Sequence, residues 1–173
     1  MEHVIDGDTC VLEGGDRVRY IGINTAERGM PFYETAKQLN AHFIAGREVV
    51  LEFDAKDTDS YGRLLAYVWV DGILLKELMV RLGLAYCYVW KPNVRHRLRL
   101  LLAQQAARSA RLGLWGAPPE LVAPFYVAAR HNHTFHRPEC PKAVQIAEKR
   151  LIFFVSRNEA IDKGFNPHRR CAP

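Results

Sequence analysis

The 173-residue sequence predicts a mainly β fold of the α+β class, with helices on short strands and a small separate module at the C-terminal end. Three observations carry this. Short runs rich in Val, Ile, Tyr and Trp recur up to Trp90, and Gly14-Gly15 and Asp71-Gly72 supply turns between them. Between and after these runs lie stripes of apolar residues at helical spacing. Beyond a proline-rich stretch the composition changes to basic residues with paired His and Cys. A hydrophobic content of 49% over this length suffices for one sizeable core and a small appendage.

Val4 to Leu12 and Val18 to Ile23 read as a hairpin about Gly14-Gly15, and in that reading Asp6 and Asp8 share one face of a strand. Pro31 to Phe43 reads as a helix: Pro31 suits the first turn, Tyr33, Ala36, Leu39 and Phe43 recur at helical spacing, and Gly46 ends the pattern. Val49 to Phe53 reads as a strand, and Leu64 to Val70 turns at Asp71-Gly72 into Ile73. Leu74, Leu75, Leu78, Met79 and Leu82 give a second helix closed by Gly83, and Ala85 to Trp90 reads as a strand. From Val94 to Leu112 a third helix is expected, its apolar face formed by Leu98, Leu101, Leu102, Ala106 and Leu112. Arg95, Arg97, Arg99, Arg108 and Arg111 have no acidic partner within that segment.

Residues 117–126, with three prolines, read as a linker between a domain over 1–116 and a module over 127–173. In the module Leu151 to Val155 reads as a strand, and Ser156-Arg157-Asn158-Glu159 as a capping box opening a helix that Gly164 ends. One strand and one short helix hold too little core to fold alone, so a staple is expected.

Residues 1–124 hold fifteen Lys/Arg against fifteen Asp/Glu, whereas residues 125–173 hold nine against four. The whole net charge of +5 is therefore in the tail, as suits contact with a polyanion, although a solvated basic surface explains charge alone equally well. No apolar stretch is long enough to span a bilayer and no signal peptide opens the chain, so a soluble protein without a membrane partner is expected. Strand-like residues begin directly after Met1, as they would if an upstream segment had been trimmed, which leaves secretion or tethering open. Cys10 and Cys87, in apolar strand-like runs, read as buried thiols rather than disulfide partners. Oligomeric state is not legible.

Val4-Ile5-Asp6-Gly7-Asp8-Thr9 supplies paired carboxylates of the kind that suit a hard divalent cation, although Asp and Gly also make ordinary turns. Arg19, Asn24-Thr25-Ala26-Glu27 and Tyr61-Gly62-Arg63 add the other parts that phosphodiester hydrolysis needs. These are cationic groups for the charge of a five-coordinate transition state and a carboxylate that orients or deprotonates water. Taken singly, Arg19 and Arg63 read as surface arginines paired with Glu27 or Asp59.

These pieces, followed by Tyr88-Val89-Trp90-Lys91-Pro92-Asn93 and Gly113-Leu114-Trp115, occur in an order that resembles the staphylococcal nuclease (thermonuclease) family over residues 3–116. The resemblance implies an OB-fold, a five-stranded barrel with three helices. It implies a calcium-dependent nuclease that hydrolyses DNA and/or RNA with little sequence preference. By the same resemblance Asp8 and Asn24 are side-chain ligands of Ca2+, the Thr25 carbonyl is a further ligand, and Asp6 sits in the outer shell. Glu27 then acts on the attacking water, Arg19 and Arg63 grip the phosphate as bidentate donors, and Tyr61, Tyr88, Trp90 and Lys91 flank the nucleotide. The family has aspartate at the position of Asn24 and proline at that of Ala26. Losing one ligand charge predicts weaker calcium binding. The competing reading is a noncatalytic OB-fold nucleic-acid-binding protein whose metal site is weakened at Asn24.

In the tail, Phe135-His136-Arg137-Pro138-Glu139-Cys140 and Gly164-Phe165-Asn166-Pro167-His168-Arg169-Arg170-Cys171 give H-x3-C and H-x2-C. The four side chains His136, Cys140, His168 and Cys171 can supply a closed, tetrahedral Zn2+ site. The competing view makes His131, His133 and His136 a polar surface run and Cys140 a core residue. The two phrases resemble the zinc-binding N-terminal domain of the adaptive-response DNA methyl-phosphotriester repair proteins, in which the ligands are four cysteines. A histidine stands where the reactive thiolate of that family would be, so the resemblance implies a scaffold or a DNA contact, with Arg137, Arg169 and Arg170 as candidates to meet phosphate.

Overall fold

β-Branched and aromatic residues build the strands of the N-terminal unit: His3–Val4 (β1), Thr9–Val11 (β2), Arg17–Tyr20 (β3), Gly22–Thr25 (β4), Val50–Glu52 (β5), Leu64–Val70 (β6), Ile73–Leu74 (β7) and Ala85–Tyr88 (β8). Its helices are Tyr33–Ile44 (α1), Leu75–Arg81 (α2) and Arg97–Ser109 (α3). The structure, a computed structural model, describes residues 3–116, 123–168 and 171, and divides into two units between Gly116 and Ala117. Most of the proline-rich linker, together with Arg169 and Arg170, lies outside the described residues. No helix among the described residues is long and apolar enough to cross a membrane.

The main sheet runs β1-β2-β3-β6-β5, with β7 on β6, and β4 pairs separately with β8. All pairs are antiparallel except β3 with β6. Only Ile21 separates β3 from β4, and its N–H donates to the Ala66 carbonyl at 3.0 Å. One run of chain thus leaves the large sheet and joins β8, the kind of corner that closes the small OB barrel. On β6 the side chains alternate. Ala66, Val68 and Val70 enter the main core with Val18, Tyr20, Ile23, Met79 and Leu100, whereas Tyr67 faces a smaller cluster with Ile21, Leu74 and Trp69. Cys10 and Cys87 are buried in the main core as free thiols.

Two expectations are corrected here. Val4 to Leu12 is not one strand, because the chain bends between β1 and β2 over Ile5 to Asp8. The Ile5 and Asp6 amides both reach the Thr9 carbonyl, at 3.0 and 3.3 Å, and the Asp8 amide donates to Asp6 Oδ1 at 3.0 Å. The aspartates therefore make a side-chain-stabilised turn, not one face of a strand. On α3 the buried residues are Leu100, Ala103, Gln104 and Ala107, while Leu98 and Leu102 are 70% and 57% exposed. A leucine-rich run contains two possible stripes. The alanine-bearing one packs inward because Gln104 Oε1 accepts the Cys87 amide at 2.8 Å, tying α3 to β8.

The C-terminal unit contains more strand than expected: Tyr126–Ala129 (β9), Thr134–His136 (β10), Leu151–Phe154 (β11) and Asn166–Pro167 (β12), with helices Pro141–Val144 (α4) and Arg157–Asp162 (α5). The sheet order is β11-β9-β10-β12, with the last pair parallel. Tyr126, which the sequence reading placed in the linker, opens β9 and is 1% exposed, because its ring packs edge-on against Phe135 at 5.6 Å. Ser156 caps α5 by accepting the Glu159 amide at 3.0 Å, and Glu159 reaches back to the Val155 amide at 2.7 Å.

Lys76 is 1% exposed on α2, with its ammonium 3.5 Å from the centroid of the Tyr67 ring. Burial pushes its pKa down to about 7 from the ordinary 10.5. Above the lowered value the unfolded chain binds a proton that the folded chain does not, so stability rises with pH until the ordinary lysine range. The buried thiols, whose ordinary value is 9.0, act oppositely at higher pH, which leaves about pH 7 to 9 as the window for Lys76. Denaturation across that window should show stability rising by up to about 1.4 kcal/mol per pH unit, and Lys76→Met should abolish the slope and raise Tm at pH 7.

Candidate functional site

The turn between β1 and β2, the β3–β4 corner and the loop before β6 converge on a cavity of about 230 Å³. It is lined by Asp6, Asp8, Thr9, Arg19, Asn24, Thr25, Ala26, Glu27 and Arg63. The structure thus brings together the residues expected to handle a cation, a phosphate and water. Gly7 lets the turn sit deep, since a Cβ there would lie 2.7 Å from Ala36 Cβ on α1 and 2.8 Å from Thr25 Cγ2.

Asp8, 5% exposed, is the hub. Its Oδ1 accepts Thr9 Oγ1 at 3.1 Å and faces Arg19 Nε at 3.1 Å, and its Oδ2 accepts the Thr25 amide at 2.8 Å and the Thr25 hydroxyl at 3.1 Å. Arg19 also donates from Nη1 to the Tyr20 carbonyl at 2.5 Å, and from Nη2 to the Ile23 carbonyl at 2.8 Å and Asn24 Oδ1 at 3.2 Å. It forms an ion pair with Asp8. Arg63 pairs with Asp59, Nη2 to Oδ2 at 2.7 Å and Nε to Oδ2 at 2.8 Å, while still lining the cavity. Arg63 thus makes the surface pair and lines the cavity as well.

The donor set is all oxygen and carries more negative charge than the two arginines offset, one of which Asp59 already neutralises. Burial, and next the neighbouring Asp8 charge, raise the Asp6 carboxyl above the usual range. A hard divalent cation fits such a set. The hydroxyls of Thr9 and Thr25 can turn their protons elsewhere, which would free lone pairs on Asp8.

A second cleft of about 580 Å³ shares Arg19 and Arg63 and is lined by Lys56, Asp59, Tyr61, Tyr88, Trp90, Lys91 and Asn93, among others. Tyr61 is 84% exposed, and Tyr88 and Trp90 meet edge-on at 5.6 Å. Its rim depends on Asn93, a residue sequence reasoning passed over although it ends the quoted Lys91-Pro92-Asn93 phrase. Asn93 accepts the Lys56 amide at 2.8 Å and donates to the Lys56 carbonyl at 2.7 Å.

Residues 17–117 match the family model described as staphylococcal nuclease homologue, more than half of the chain. The chain belongs to the staphylococcal nuclease homologue family. The Asp6–Asp8 turn precedes the matched segment. Similar proteins include "Endonuclease YncB" of Bacillus subtilis, 38% identical over 126 residues that span 66% of this chain and 60% of the relative. "SPbeta prophage-derived endonuclease YokF" of the same organism is 37% identical over 66% of this chain and 43% of its own length. The "Thermonuclease" of Staphylococcus intermedius is 33% identical over 66% of this chain and 74% of its own. Against the two Bacillus relatives, then, the chain spans about three-fifths and two-fifths of their lengths.

Residues 119–173 match the family model described as metal binding domain of Ada. Here the ligand-bearing atoms of His136, Cys140, His168 and Cys171 all lie within 4.8 Å of one another. Cys140 Sγ is 3.4 Å from His136 Nδ1 and 3.7 Å from His168 Nδ1. Ordinary Zn–S and Zn–N bond lengths give a tetrahedral S···N edge of about 3.6 Å, so these spacings fit zinc. His133 instead stacks on Phe165 at 5.1 Å. Burial, then the His168 charge, lowers His136 to about 4, and burial pushes the Cys171 thiol up to about 11. Metal-free, the imidazole of His136 is neutral and the thiol of Cys171 protonated, so metal uptake releases protons from sulfur.

Asn93→Ala should cost about 1 to 2 kcal/mol in chemical denaturation, because it removes both bonds to the Lys56 backbone. Limited proteolysis should then cut first in the loop between β5 and β6.

Proposed function

We propose that the chain is a calcium-dependent nuclease that hydrolyses phosphodiester bonds of DNA and/or RNA with little sequence preference, joined to a zinc-stapled module that aids DNA binding. The observation that carries the reading is the convergence of Asp6, Asp8, Asn24, Thr25 and Glu27 on one cavity whose wall, Arg19 and Arg63, is shared with an aromatic, lysine-bearing cleft. Membership of a family whose relatives include a thermonuclease and two endonucleases supports it.

Calcium, held by Asp8, Asn24 and the Thr25 carbonyl with Asp6 behind them, would supply charge neutralisation at the phosphate. Arg63, oriented by Asp59, presents its guanidinium to the phosphoryl oxygens, and Arg19 offers the remaining N–H of Nη1. Glu27, exposed at the cavity mouth, orients water and accepts its proton as the new P–O bond forms and the scissile P–O bond opposite it breaks, the leaving oxygen taking a proton from solvent. Tyr61, Tyr88 and Trp90 give apolar faces on which any base can stack, beside the charge of Lys91, consistent with little sequence preference.

The binding-only reading has one observation in its favour: each of the three guanidinium nitrogens of Arg19 already contacts the protein. Digestion of single- and double-stranded DNA and of RNA, with calcium or with chelator, separates the two. Calcium should support cleavage, and Glu27→Gln or Arg63→Ala should slow it by two or more orders of magnitude without unfolding the protein. Activity surviving in chelator would sink the calcium reading. Asn24→Asp restores a ligand charge and should lower the calcium needed for half-maximal rate; an unchanged titration would remove Asn24 from the ligand set.

For the module, elemental analysis of unchelated protein should give about one zinc per chain. Cys140→Ala or Cys171→Ala should lose that zinc and make the region beyond Pro124 protease-sensitive, leaving cleavage of short oligonucleotides mostly intact. Protein purified free of zinc would overturn the zinc assignment.

A further inference from the structure

Asn40 is 0% exposed in the middle of α1, yet its amide is fully used. Nδ2 donates to the main-chain carbonyl of Asp6 at 2.8 Å, and Oδ1 accepts the Tyr20 hydroxyl at 2.8 Å. Tyr20, 1% exposed on β3, in turn donates its main-chain N–H to the Asp8 carbonyl at 2.9 Å. The three-residue turn Asp6-Gly7-Asp8 is thus held at its first residue by the Asn40 side chain and at its last by the Tyr20 main chain, and the Tyr20 hydroxyl in turn holds Asn40. Gly7 permits this, since any Cβ there would strike Ala36, one helical turn before Asn40.

We infer that Asn40 and Tyr20 are positioning residues for the cation, setting the backbone of the Asp6–Asp8 turn so that both carboxylates face the cavity without contacting the ion themselves. The inference rests on the calcium reading above. Its physical basis is enthalpic and entropic together. Two adjacent carboxylates repel; direct contacts already hold the Asp8 carboxylate, and the Asp8 amide donates to that of Asp6, so the backbone that carries both is set by the groups that bond it, Asn40 first. Asn suits that task because one planar amide donates to the turn while accepting from the strand beneath it. A buried apolar residue at position 40 would take the α1 partner from the Asp6 carbonyl and leave the Tyr20 hydroxyl with the Cys10 thiol alone.

The test is calcium titration of the full chain by calorimetry, with wild type, Asn40→Leu, Tyr20→Phe and a control, Val70→Ala, that weakens the core away from the turn. Loss of a supporting bond behind a ligand should raise the calcium concentration for half-saturation about tenfold in Asn40→Leu and several-fold in Tyr20→Phe, with Val70→Ala unchanged. In metal-free protein, hydrogen exchange at the Asp6 and Asp8 amides should speed up in the two variants and not in the control. Tyr20→Phe keeps the ring and the main-chain bond, so it serves if Asn40→Leu does not fold. The double variant Tyr20→Phe/Asn40→Leu should be no worse than Asn40→Leu alone, because the two act as one unit. Half-saturation within twofold of wild type in the folded variants, or an equal shift in the control, overturns the inference. Wild-type protein that takes up no calcium overturns the calcium reading and this one with it.

Discussion

The carboxylate of Asp8 is the point on which the N-terminal unit turns. Its two oxygens take contacts from Thr9, Arg19 and twice from Thr25, so that one buried charge joins β2, β3 and β4. A buried carboxylate is costly unless its lone pairs are filled, and here they are filled by the residues that line the cavity. The same contacts that make Asp8 tolerable inside the fold hold Arg19 and Thr25 in place. Stability and site geometry are one arrangement.

Much of this was legible in the sequence because the site residues sit in short, ordered phrases whose chemistry is distinctive. The aspartates of the Asp-Gly-Asp phrase, Arg19, the Asn-Thr-Ala-Glu phrase and the arginine of Tyr-Gly-Arg meet in one cavity. The conformation of the first phrase was not legible. Alternating polar and apolar residues read as a strand, but the competing side-chain-to-backbone bonds of Asp6 win once α1 presses on Gly7. The buried face of α3 was missed for a different reason: periodicity cannot say that a glutamine will outbid a leucine for the interior when a strand amide needs an acceptor. Asn40 left no periodic or motif signal and Asn93 showed only as the end of a phrase, because their partners, the Asp6 carbonyl and Tyr20 hydroxyl for one and the Lys56 backbone for the other, lie far away in sequence.

In the C-terminal unit the capping box and the His/Cys pairs were visible, but three of its four strands were not, Asn166–Pro167 among them. Tyr126–Ala129 follows the prolines too closely to stand out, and Thr134–His136 is preceded by a polar run that reads as loop. Both are fixed by pairing with each other rather than by local preference. Tyr126, Phe135 and Phe154 are buried, and a hydrophobic cluster of Val127, Cys140 and Ala143 with Leu151 and Cys171 includes two of the four candidate metal ligands, so those ligands are set into a core rather than standing in place of one.

The single-residue corner at Ile21 has an architectural corollary. Arg19 on one side of it and Asn24 and Thr25 on the other belong to one uninterrupted run, locked by ladder pairing to Leu65, Tyr86 and Ala85. Their mutual spacing is quantised by the strand repeat and is closed to adjustment by insertion or deletion. Glu27 stands in a loop outside the ladders, whereas Tyr61 sits in a tight turn closed by the Thr58–Leu64 bridge and by the Asp59 carboxylate, which accepts the Tyr61 and Arg63 amides. Divergence within such a scaffold is therefore channelled: the spacing of Arg19, Asn24 and Thr25 is fixed by the ladder, while the reach of Glu27 is free to drift.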